Sequence, residues 1–527
     1  MTTLLVLSCL LASSAEPEPP NIVFMLSDDH TSQAWGCYGG RLSKFARTPN
    51  IDALAHEGVR LRNAFCTNSI CVPSRASILT GQYSHRNGVR TLKDRLRPDA
   101  DHFVKRLRSA GYETALVGKW HLRSLPQGFD HWEVIRGQGR YHGPKLFSEA
   151  HPEGKTYRDA YSTDLFTDLA LKWLRKRDGK RPFCLLLHFK ATHEPWQYHP
   201  RHANLYKDVK IPEPKSLHGT TGPVGSVVPG WPLEILTERM RKRSHYGGGK
   251  LEVLSEKARD LRSATYQKLV KDFLRCGVAI DENIGRVREY LKESGLERNT
   301  IVVYTSDQGY FLGEHNYFDK RFMLEESLRM PTVISYPKEI RPGLVLDDMV
   351  LNIDFAPTLL DFAGVSIPAS VQGRSFRSNL RGSSPSDWRR SMYYRYFENS
   401  ERRPAHFGVR TKRYKLVYYS GLKKKPPEAR WEFYDLRDDP EENRNRYGEP
   451  AYARPIDELK RALTRLQREV GDELPTSTKS ESCTGTPGAR FTAAGDRGDR
   501  GEFRSTECSR SAKHRRPSWS PHSRFRS

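Results

Sequence analysis

Four short apolar runs that end in polar residues are the feature that most constrains the fold of this chain. They span residues 21–26, 113–117, 183–187 and 300–305. Continuous apolar runs of this length are typical of strands buried on both faces, as in a parallel sheet covered by helices. Helical patterns lie between them, at 48–58, 99–110 and 159–177. The sequence therefore predicts an α/β fold with a large mixed, mostly parallel sheet sandwiched by helices.

The polar residues beyond these runs are rich in groups that bind metals or move protons. They are Asp28 and Asp29 after the first run, Lys119 and His121 after the second, His193 beyond the third, and Asp307 and Gln308 after the fourth. In open α/β sheets, ligands collect beyond the carboxyl ends of the strands. We therefore expect the four clusters to meet in one cleft.

Three carboxylates and one amide oxygen of this set form a candidate metal site. They belong to Asp28, Asp29, Asp307 and Gln308. Hard oxygen donors, without a thiolate or a ligand-spaced pair of histidines, indicate Ca²⁺ or Mg²⁺ and not zinc. The alternative is that Asp28 and Asp29 cap a following turn or helix, since Asp is a favoured cap residue. The equivalent position of Asp307 after another strand favours the metal site.

A cysteine at a predicted helix start is the candidate nucleophile. In the segment 71–81, Pro73 suits the first turn of a helix and Gly81 its end. Cys71 is then at the positive end of the helix dipole, with Arg75 one turn inside. This placement predicts a lowered pKa and a reactive thiol. The alternative is a buried structural cysteine, and the spacing does not decide between the two.

The C-terminal part of the chain predicts a second, smaller domain. After a composition shift at 381–386, short antiparallel strands are predicted at 392–397, 407–410, 414–419 and 431–436, and a closing helix at 455–469. We therefore divide the chain into a large catalytic domain at 21–380, a C-terminal subdomain at 387–474 and a basic tail at 475–527. The tail has no apolar periodicity, which predicts disorder.

Two segments of the large domain have less distinct patterns. Residues 199–249 are rich in Pro, Gly and His, which predicts a long loop at the rim of the cleft. Residues 251–291 are predicted to be helical.

The N-terminal segment predicts export. Its apolar run at 4–12 is too short to span a bilayer and is followed by small residues that a signal peptidase could cut after Ala15. No basic residue precedes the run, which departs from the usual signal pattern. We predict a signal peptide at 1–15, a periplasmic or secreted protein, and no transmembrane segment. The eight cysteines include no C-x-x-C pair, which favours neither a structural zinc site nor a disulfide framework.

The charge balance indicates a polyanionic partner. The chain has 87 Lys and Arg against 63 Asp and Glu, a formal net charge of +24. Nucleic acid, an anionic membrane surface and an acidic polysaccharide all fit this excess. No homeodomain, zinc-finger or RNA-binding signature is present, which argues against a specific nucleic-acid partner. The Arg and Ser enrichment of the tail supports only nonspecific, salt-sensitive contact.

Six motifs, in order along the chain, resemble those of the type I, formylglycine-dependent sulfatases of the alkaline phosphatase superfamily. They are C-x-P-S-R with A-S-x-L-T-G at 71–81, G-K-W-H at 118–121, H-E-P at 193–195, T-S-D-Q-G at 305–309, F-D-K-R at 318–321 and W-E-F-Y-D-L at 431–436. The resemblance covers about residues 21–472 and implies an alkaline phosphatase-like fold. Residues 307–321 look closest to bacterial polysaccharide sulfatases, including N-acetylglucosamine-6-sulfatases and mucin-desulfating enzymes.

The resemblance implies that Cys71 does not act as a thiol. In this family, a dedicated maturation enzyme oxidises the motif cysteine to formylglycine, whose hydrated aldehyde is the nucleophile. One hydroxyl attacks sulfur and the alcohol leaves. The second hydroxyl then collapses the hemiacetal sulfate, which releases sulfate and restores the aldehyde, so that water need not attack sulfur a second time.

The resemblance also implies the metal and its ligands. One Ca²⁺ is expected, held by Asp28, Asp29, the matured Cys71, Asp307 and Gln308. Many members carry Asn or His at the position of Gln308. The side chain of Gln308 keeps an amide oxygen, so a ligand of the same kind is present.

Further roles follow from the same resemblance. Arg75 and Lys119 are expected to hold the matured residue in place and to balance its charge. His121 is expected to take the proton when sulfate is eliminated. His193 and Lys320 are expected to bind the sulfate and to protonate or steady the leaving oxygen.

The leading hypothesis is therefore an exported, Ca²⁺-dependent sulfuric ester hydrolase. Its expected substrate is a sulfated carbohydrate of the glycosaminoglycan, mucin or algal polysaccharide type, which suits the basic charge. A formylglycine-dependent phosphodiester or phosphonate monoester hydrolase is the first alternative, because relatives on the same fold share the motif. A sulfoglycan-binding protein in which Cys71 is never matured is the second.

Overall fold

The computed structural model describes residues 18–219, 231–253, 255–420 and 430–472. Its first twelve strands are β1 (Asn21–Asp28), β2 (Val59–Phe65), β3 (Glu113–Lys119), β4 (His131–Ile135), β5 (Lys145–Phe147), β6 (Lys155–Thr156), β7 (Phe183–Thr192), β8 (Thr300–Ser306), β9 (Phe311–Leu312), β10 (Phe318–Asp319), β11 (Thr332–Ser335) and β12 (Leu344–Leu351). Ten of them form one large sheet in the order β12-β2-β11-β8-β1-β7-β3-β4-β5-β6, and β9 pairs with β10 separately.

The four apolar runs form neighbouring parallel strands at the centre of the large sheet. β1 pairs in parallel with β7 on one side and with β8 on the other, and β7 pairs in parallel with β3. Every residue of β1, β7 and β8 is buried. Strands covered on both faces bury every side chain, which explains the continuous apolar runs. The prediction of a parallel centre is confirmed.

Antiparallel pairings on both flanks make the sheet mixed. β11 pairs antiparallel with both β2 and β8, while β5 and β6 form an antiparallel edge beyond β4. β12 pairs in parallel with β2, and β4 pairs in parallel with β3. The predicted α/β class, with a large mixed and mostly parallel sheet, is confirmed.

Helices cover both faces of the sheet. They are α1 (Pro49–Glu57), α2 (Cys71–Thr80), α3 (Ser84–Asn87), α4 (Phe103–Ser109), α5 (Ser162–Lys176), α6 (Leu233–Lys242), α7 (Ala258–Glu293), α8 (Glu325–Leu328), α9 (Phe355–Phe362), α10 (Arg377–Leu380) and α11 (Ala453–Val470). Side chains of α2, α4 and α9 contribute to one hydrophobic cluster, and those of α1, α5 and α7 to another. The helices predicted at 48–58, 99–110 and 159–177 correspond to α1, α4 and α5.

The C-terminal region contains a second, antiparallel sheet. Its strands are β13 (Ser391–Tyr396), β14 (His406–Thr411), β15 (Tyr414–Tyr419) and β16 (Arg430–Asp435), in that order. Helix α11 packs on this sheet through Ile456, Leu459 and Leu463. The predicted strands and closing helix are confirmed. The domain limits remain predictions, and the segments 1–15 and 475–527 lie outside the described residues.

The helices between 199 and 293 differ from the prediction. Within the segment predicted as a long loop, helix α6 buries Leu233, Leu236 and Met240. This spacing of three and four residues is a helical signal that the surrounding Pro and Gly residues obscure. The segment predicted to be helical at 251–291 contains one helix of 36 residues, α7, which begins at Ala258. Within the described residues, no helix combines the length and the apolar character that crossing a bilayer requires.

Candidate functional site

The ends of the four central strands bring the predicted polar clusters together. Asp28 is the last residue of β1, Lys119 is the last residue of β3, and Asp307 directly follows β8. Asp29, just beyond β1, has a φ of 72°. All four side chains are fully buried. Because the strands are parallel, their carboxyl ends lie at one edge of the sheet, and the predicted convergence is confirmed.

Three carboxylates share this buried space. The backbone N–H of Asp29 donates to Oδ1 of Asp307 at 3.2 Å, and Nε2 of Gln308 donates to Oδ1 of Asp29. Burial, reinforced by the charge of Asp28, raises the pKa of Asp29 to about 6 and that of Asp307 to about 7. For Asp28 burial acts in the same direction, but the surrounding positive charges, led by Lys119, together outweigh it and hold the pKa well below its usual value. The site is therefore crowded with negative charge.

Three buried cations face these carboxylates. Nε of Arg75 donates to Oδ2 of Asp307 at 2.9 Å. Nζ of Lys119 donates to Oδ2 of Asp28. Nζ of Lys320 donates to Oδ2 of Asp29 at 2.6 Å. Since all three cations are buried, none of them is a solvated surface charge. Each cation is held by a carboxylate, which is how buried charges are normally tolerated.

The donor set fits a hard divalent cation. Asp28, Asp29 and His193 each offer one potential ligand atom, and these atoms lie within 4.8 Å of one another. Oδ1 of Asp28 and Oε1 of Gln308 are buried oxygens without a hydrogen-bond partner among the described residues. Unpaired buried oxygens beside crowded carboxylates are what a bound Ca²⁺ or Mg²⁺ would satisfy.

Cys71 is the first residue of α2, which ends at Thr80 and is capped by Gly81, with a φ of 67°. The helix was predicted correctly, but the predicted lowering of the thiol pKa is wrong. Burial raises the pKa of Cys71 to about 11, against the charges of Lys119 and Lys320. The helix dipole is a local effect, whereas the loss of solvent comes from the whole fold. Cys71 as a thiol is therefore a weak nucleophile at neutral pH.

Two histidines complete the predicted set. Nδ1 of His193 donates to the carbonyl oxygen of Glu194 at 2.8 Å, so that Nε2, 3.8 Å from Oδ2 of Asp29, faces the carboxylates. His121 has a φ of 57°. Its Nδ1 is buried without a partner among the described residues. Burial, then Lys119, lowers the pKa of His121 to about 2, and burial also lowers the pKa of His193. Both rings are therefore neutral and carry a free nitrogen.

No role was predicted from the sequence for three residues at the site. Gln138, in the loop after β4, accepts a hydrogen bond from Nζ of Lys119 at 2.6 Å. Oγ of Ser74 donates to the carbonyl oxygen of Asp307. Lys190 is buried with Nζ 4.6 Å from the centre of the Tyr141 ring. The sequence signal for Ser74 is its position within the motif of Cys71. For Gln138 the signal is only the pair of glycines that flank it.

Two further histidines near the motifs have hydrogen-bond partners outside the carboxylate cluster. Nδ1 of His30 is 2.7 Å from the hydroxyl of Tyr304 in the core. Nε2 of His85 donates to the carbonyl oxygen of Val470 at 2.8 Å. His30 and His85 therefore support packing around the site.

Comparisons with known proteins agree with this geometry. The model of the sulfatase family matches residues 20–365, and that of the C-terminal region of N-sulphoglucosamine sulphohydrolase matches residues 313–469. An N-acetylglucosamine-6-O-sulfatase from Bacteroides thetaiotaomicron is 40% identical, over 90% of this chain and 92% of the relative.

Two solved structures extend the comparison. A protein in complex with its substrate D-glucosamine-2-N,6-O-disulfate is 37% identical and superposes with a TM-score of 0.80, over 88% of this chain and 100% of the other. A phosphonate monoester hydrolase from Silicibacter pomeroyi is 25% identical, with a TM-score of 0.69 over 86% and 96% of the two chains. The sulfatase model spans most of this chain, and the Bacteroides relative matches almost its full length. This chain therefore belongs to the sulfatase family and is a sulfuric ester hydrolase.

Proposed function

We propose that this sulfatase removes the 6-O-sulfate of glucosamine residues in sulfated glycosaminoglycans. The observation that carries the proposal is the 40% identity, over nearly the whole chain, to an N-acetylglucosamine-6-O-sulfatase. The structural neighbour whose substrate is D-glucosamine-2-N,6-O-disulfate supports a 6-O-sulfated glucosamine as the substrate. Residues 313–469 match a family model named for an enzyme of N-sulphoglucosamine, which agrees with this substrate class.

The nucleophile of the proposed reaction is Cys71 after its conversion to formylglycine by a maturation enzyme. The raised pKa of the Cys71 thiol supports this proposal, because an unmodified thiol is protonated at neutral pH. Cys71 lies at the start of α2, where the backbone N–H groups of the first turn and Arg75 favour a negatively charged group.

The cation that we propose for the site is Ca²⁺, with Mg²⁺ as the alternative. Its ligands are the side-chain oxygens of Asp28, Asp29, Asp307 and Gln308, together with the matured residue 71. When bound, the cation would offset the charge of the three carboxylates and attract a sulfate oxygen. Arg75 keeps Asp307 in place through its Nε, and its Nη1 donates to the carbonyl oxygen of Lys119 at 2.8 Å.

The buried cations of the site are suited to a sulfate group. Lys119 and Lys320 bring two ammonium groups to the carboxylates, where an anionic substrate would bind. Although burial acts against it, the negative groups around Lys320, led by Asp29, together hold its pKa above the usual value, so this side chain retains its proton. We assign Lys320 to the leaving oxygen, and Nε2 of His193 to the sulfate.

His121 is the proposed acceptor of the proton that is released with sulfate. Its ring is neutral and its Nδ1 has no partner among the described residues. A sulfate group bound next to the ring would raise the pKa of His121 towards its usual value. A proton acceptor is therefore available at the step where sulfate leaves.

The proposed substrate can be tested with matured protein on a panel of sulfated sugars. We expect sulfate release from glucosamine 6-O-sulfate and N-acetylglucosamine 6-O-sulfate, and much slower release from 2-O- and 4-O-sulfated sugars. Preference for another sulfate position would contradict the proposal.

The similarity to a phosphonate monoester hydrolase makes a second comparison necessary. Rates on 4-nitrophenyl sulfate and on a 4-nitrophenyl phosphodiester measure the two activities side by side. We expect sulfate ester hydrolysis to dominate, because the relative with higher identity is a sulfatase. The mass of the peptide that contains residue 71 reports maturation, and an unmodified thiol in protein from the native host would indicate a binding protein.

The proposed location is outside the cytoplasm. The signal segment at 1–15 lies outside the described residues, and the proposal rests on its sequence pattern. N-terminal sequencing of mature protein from the native host tests it, and we expect Glu16 as the first residue.

A further inference from the structure

A cavity of about 420 Å³ lies beside the candidate active site at the carboxyl end of β3 and β4. Its walls include His121, Arg123, Trp120, Trp132, Arg136 and Phe147. The motifs of the sequence account for Trp120 and His121 alone, and the proposed reaction assigns no role to the rest of this wall. The cavity is large enough for a sugar unit with an anionic substituent.

Two residues of the cavity wall connect it to the proposed catalytic residues. His121 lines the cavity, and Lys119, two residues earlier in the chain, donates through its Nζ to Oδ2 of Asp28. Gly137 also lines the cavity, and the next residue, Gln138, accepts the hydrogen bond from Nζ of Lys119. A ligand in the cavity would therefore lie next to a sulfate ester bound at the carboxylates.

Two guanidinium groups of the cavity lack a carboxylate partner among the described residues. Arg136 lies 3.8 Å above the centre of the Phe147 ring, and its one hydrogen bond goes to the carbonyl oxygen of Pro152 at 3.4 Å. Arg123 is exposed and forms no ion pair with any described residue. Arg75, in contrast, is paired with Asp307 at 2.9 Å. Free guanidinium groups in a concave wall favour an anionic ligand.

The backbone conformation and the aromatic side chains also indicate a binding site. His121 and Arg123 have φ values of 57° and 56°, a conformation that other residues than glycine rarely adopt and that is common at binding sites. Nε1 of Trp132 donates to Oε1 of Glu149 at 3.3 Å, so the ring of Trp132 has no free polar group for a ligand. Aromatic and apolar walls with a few charged groups are typical of sugar and small-molecule sites.

We propose that this cavity is a second subsite of the sulfatase, which binds an anionic group of the same substrate molecule through Arg123 and Arg136. The inference rests on the proposed function, because it places the scissile sulfate ester at the carboxylates. The anionic group is a sulfate or a carboxylate. It belongs either to the sugar that carries the scissile sulfate or to the neighbouring sugar of the chain.

Three substrates distinguish the two sugars that could carry the second anionic group. They are glucosamine 6-O-sulfate, glucosamine 2-N,6-O-disulfate, and a disaccharide in which 6-O-sulfated glucosamine is joined to a uronate. The variants are Arg123→Gln and Arg136→Gln, which remove the charge and keep a polar side chain. Arg140→Gln is the matched control, because Arg140 is an exposed arginine of the same loop that does not line the cavity.

We expect each cavity variant to raise KM for a substrate with a second anionic group about tenfold more than for glucosamine 6-O-sulfate. The value of kcat should change much less, since the cavity does not hold the reacting atoms. A selective loss on the disulfate places the second anion on the same sugar. A loss confined to the disaccharide places it on the neighbouring sugar.

Equal losses on all three substrates, an equal loss in Arg140→Gln, or no loss at all would overturn the proposal. If the unmodified enzyme cleaves none of the three substrates, it is the proposed function that fails. Calorimetry with the disaccharide then tests the proposed subsite without the need for turnover. Affinity about tenfold weaker in Arg136→Gln than in the unmodified protein would support the subsite, and equal affinity would overturn it.

Discussion

The backbone N–H of Asp29 donates a hydrogen bond to Oδ1 of Asp307 at 3.2 Å, between residues that are 278 positions apart. This bond joins the carboxyl ends of the neighbouring parallel strands β1 and β8. The carboxylates therefore sit at positions that the sheet itself determines, and their mutual repulsion is built into the fold. The buried cations, and the divalent cation that we propose, balance this charge.

Asp307→Ala should lower both activity and stability. The substitution leaves the guanidinium of Arg75 buried without its 2.9 Å partner, which costs about 3 kcal/mol of the free energy of unfolding. Asp307→Asn keeps an oxygen and should cost less stability, with a comparable loss of sulfate release. Thermal unfolding and initial rates measure the two effects. Asp347→Ala, which removes an exposed ion pair with Arg62, is the control and should change stability by less than about 1 kcal/mol.

Cys71→Ala should abolish turnover and leave the fold intact. Alanine is tolerated at the first position of α2, so we expect Tm to move by no more than about 2 °C. Sulfate release should fall by at least about a thousandfold, because no other group can replace the nucleophile. Cys71→Ser should also fail in a host that matures only cysteine. Near-normal turnover by Cys71→Ala would remove the proposed nucleophile.

Removal of the divalent cation should suppress activity. The oxygen donors Asp28, Asp29, Asp307 and Gln308 suit a hard cation, so EDTA should inactivate the enzyme and Ca²⁺ should restore it, with Mg²⁺ as a weaker substitute. Because the site is buried, the loss can be slow. Metal analysis of active protein is the decisive measurement. Stoichiometric zinc with neither calcium nor magnesium would contradict the ligand assignment.

The protein should lose stability as pH rises, in part through Glu432. Burial, then the charge of Glu442, raises the pKa of Glu432 from 4.5 to about 7. Because the pKa of Glu432 is raised in the folded state, the contribution of its neutral carboxyl group to stability is fully present below about pH 4.5. It is lost as pH rises through about 7. The contribution is at most about 3 kcal/mol.

Glu432→Gln tests this dependence, because the amide stays neutral at every pH. Relative to the unmodified protein, the variant should gain Tm between about pH 5 and about pH 8. Glu458→Gln, at an exposed position of α11, is the control and should show no such gain. If both variants follow the pH dependence of the unmodified protein, Glu432 does not titrate in this range.

The sequence allowed the centre of the fold to be predicted because buried parallel strands require continuous apolar runs. β1, β3, β7 and β8 all show this pattern, and their parallel pairing brought Asp28 and Asp307 together as expected. The insertion of β11 between β2 and β8 was not predictable, since four residues without alternation give no pairing partner. Helix α6 was missed because Pro and Gly dominate its surroundings.

The environment of Cys71 shows what local reasoning cannot supply. Its position at a helix start is a sequence property, and it was predicted correctly. The pKa of its thiol depends on burial beneath chain segments that are distant in sequence, and so the predicted direction was wrong. Gln138 was missed for the same reason, because its contact with Lys119 arises only when the loop after β4 folds over the end of β3.

The hydrogen bond from Lys119 to Gln138 should contribute to turnover without contributing much to stability. Gln138→Leu keeps a similar volume and removes the oxygen that lies 2.6 Å from Nζ of Lys119. A hydrogen bond to a charged group is worth about 1.5–3 kcal/mol, so we expect kcat/KM to fall by about tenfold or more. Because Gln138 is half-buried in a surface loop, Tm should change by less than about 2 °C. Gln127→Leu, on an exposed loop that does not contact Lys119, is the matched control. Equal kcat/KM values in Gln138→Leu and the unmodified enzyme would show that Asp28 alone positions the ammonium group of Lys119.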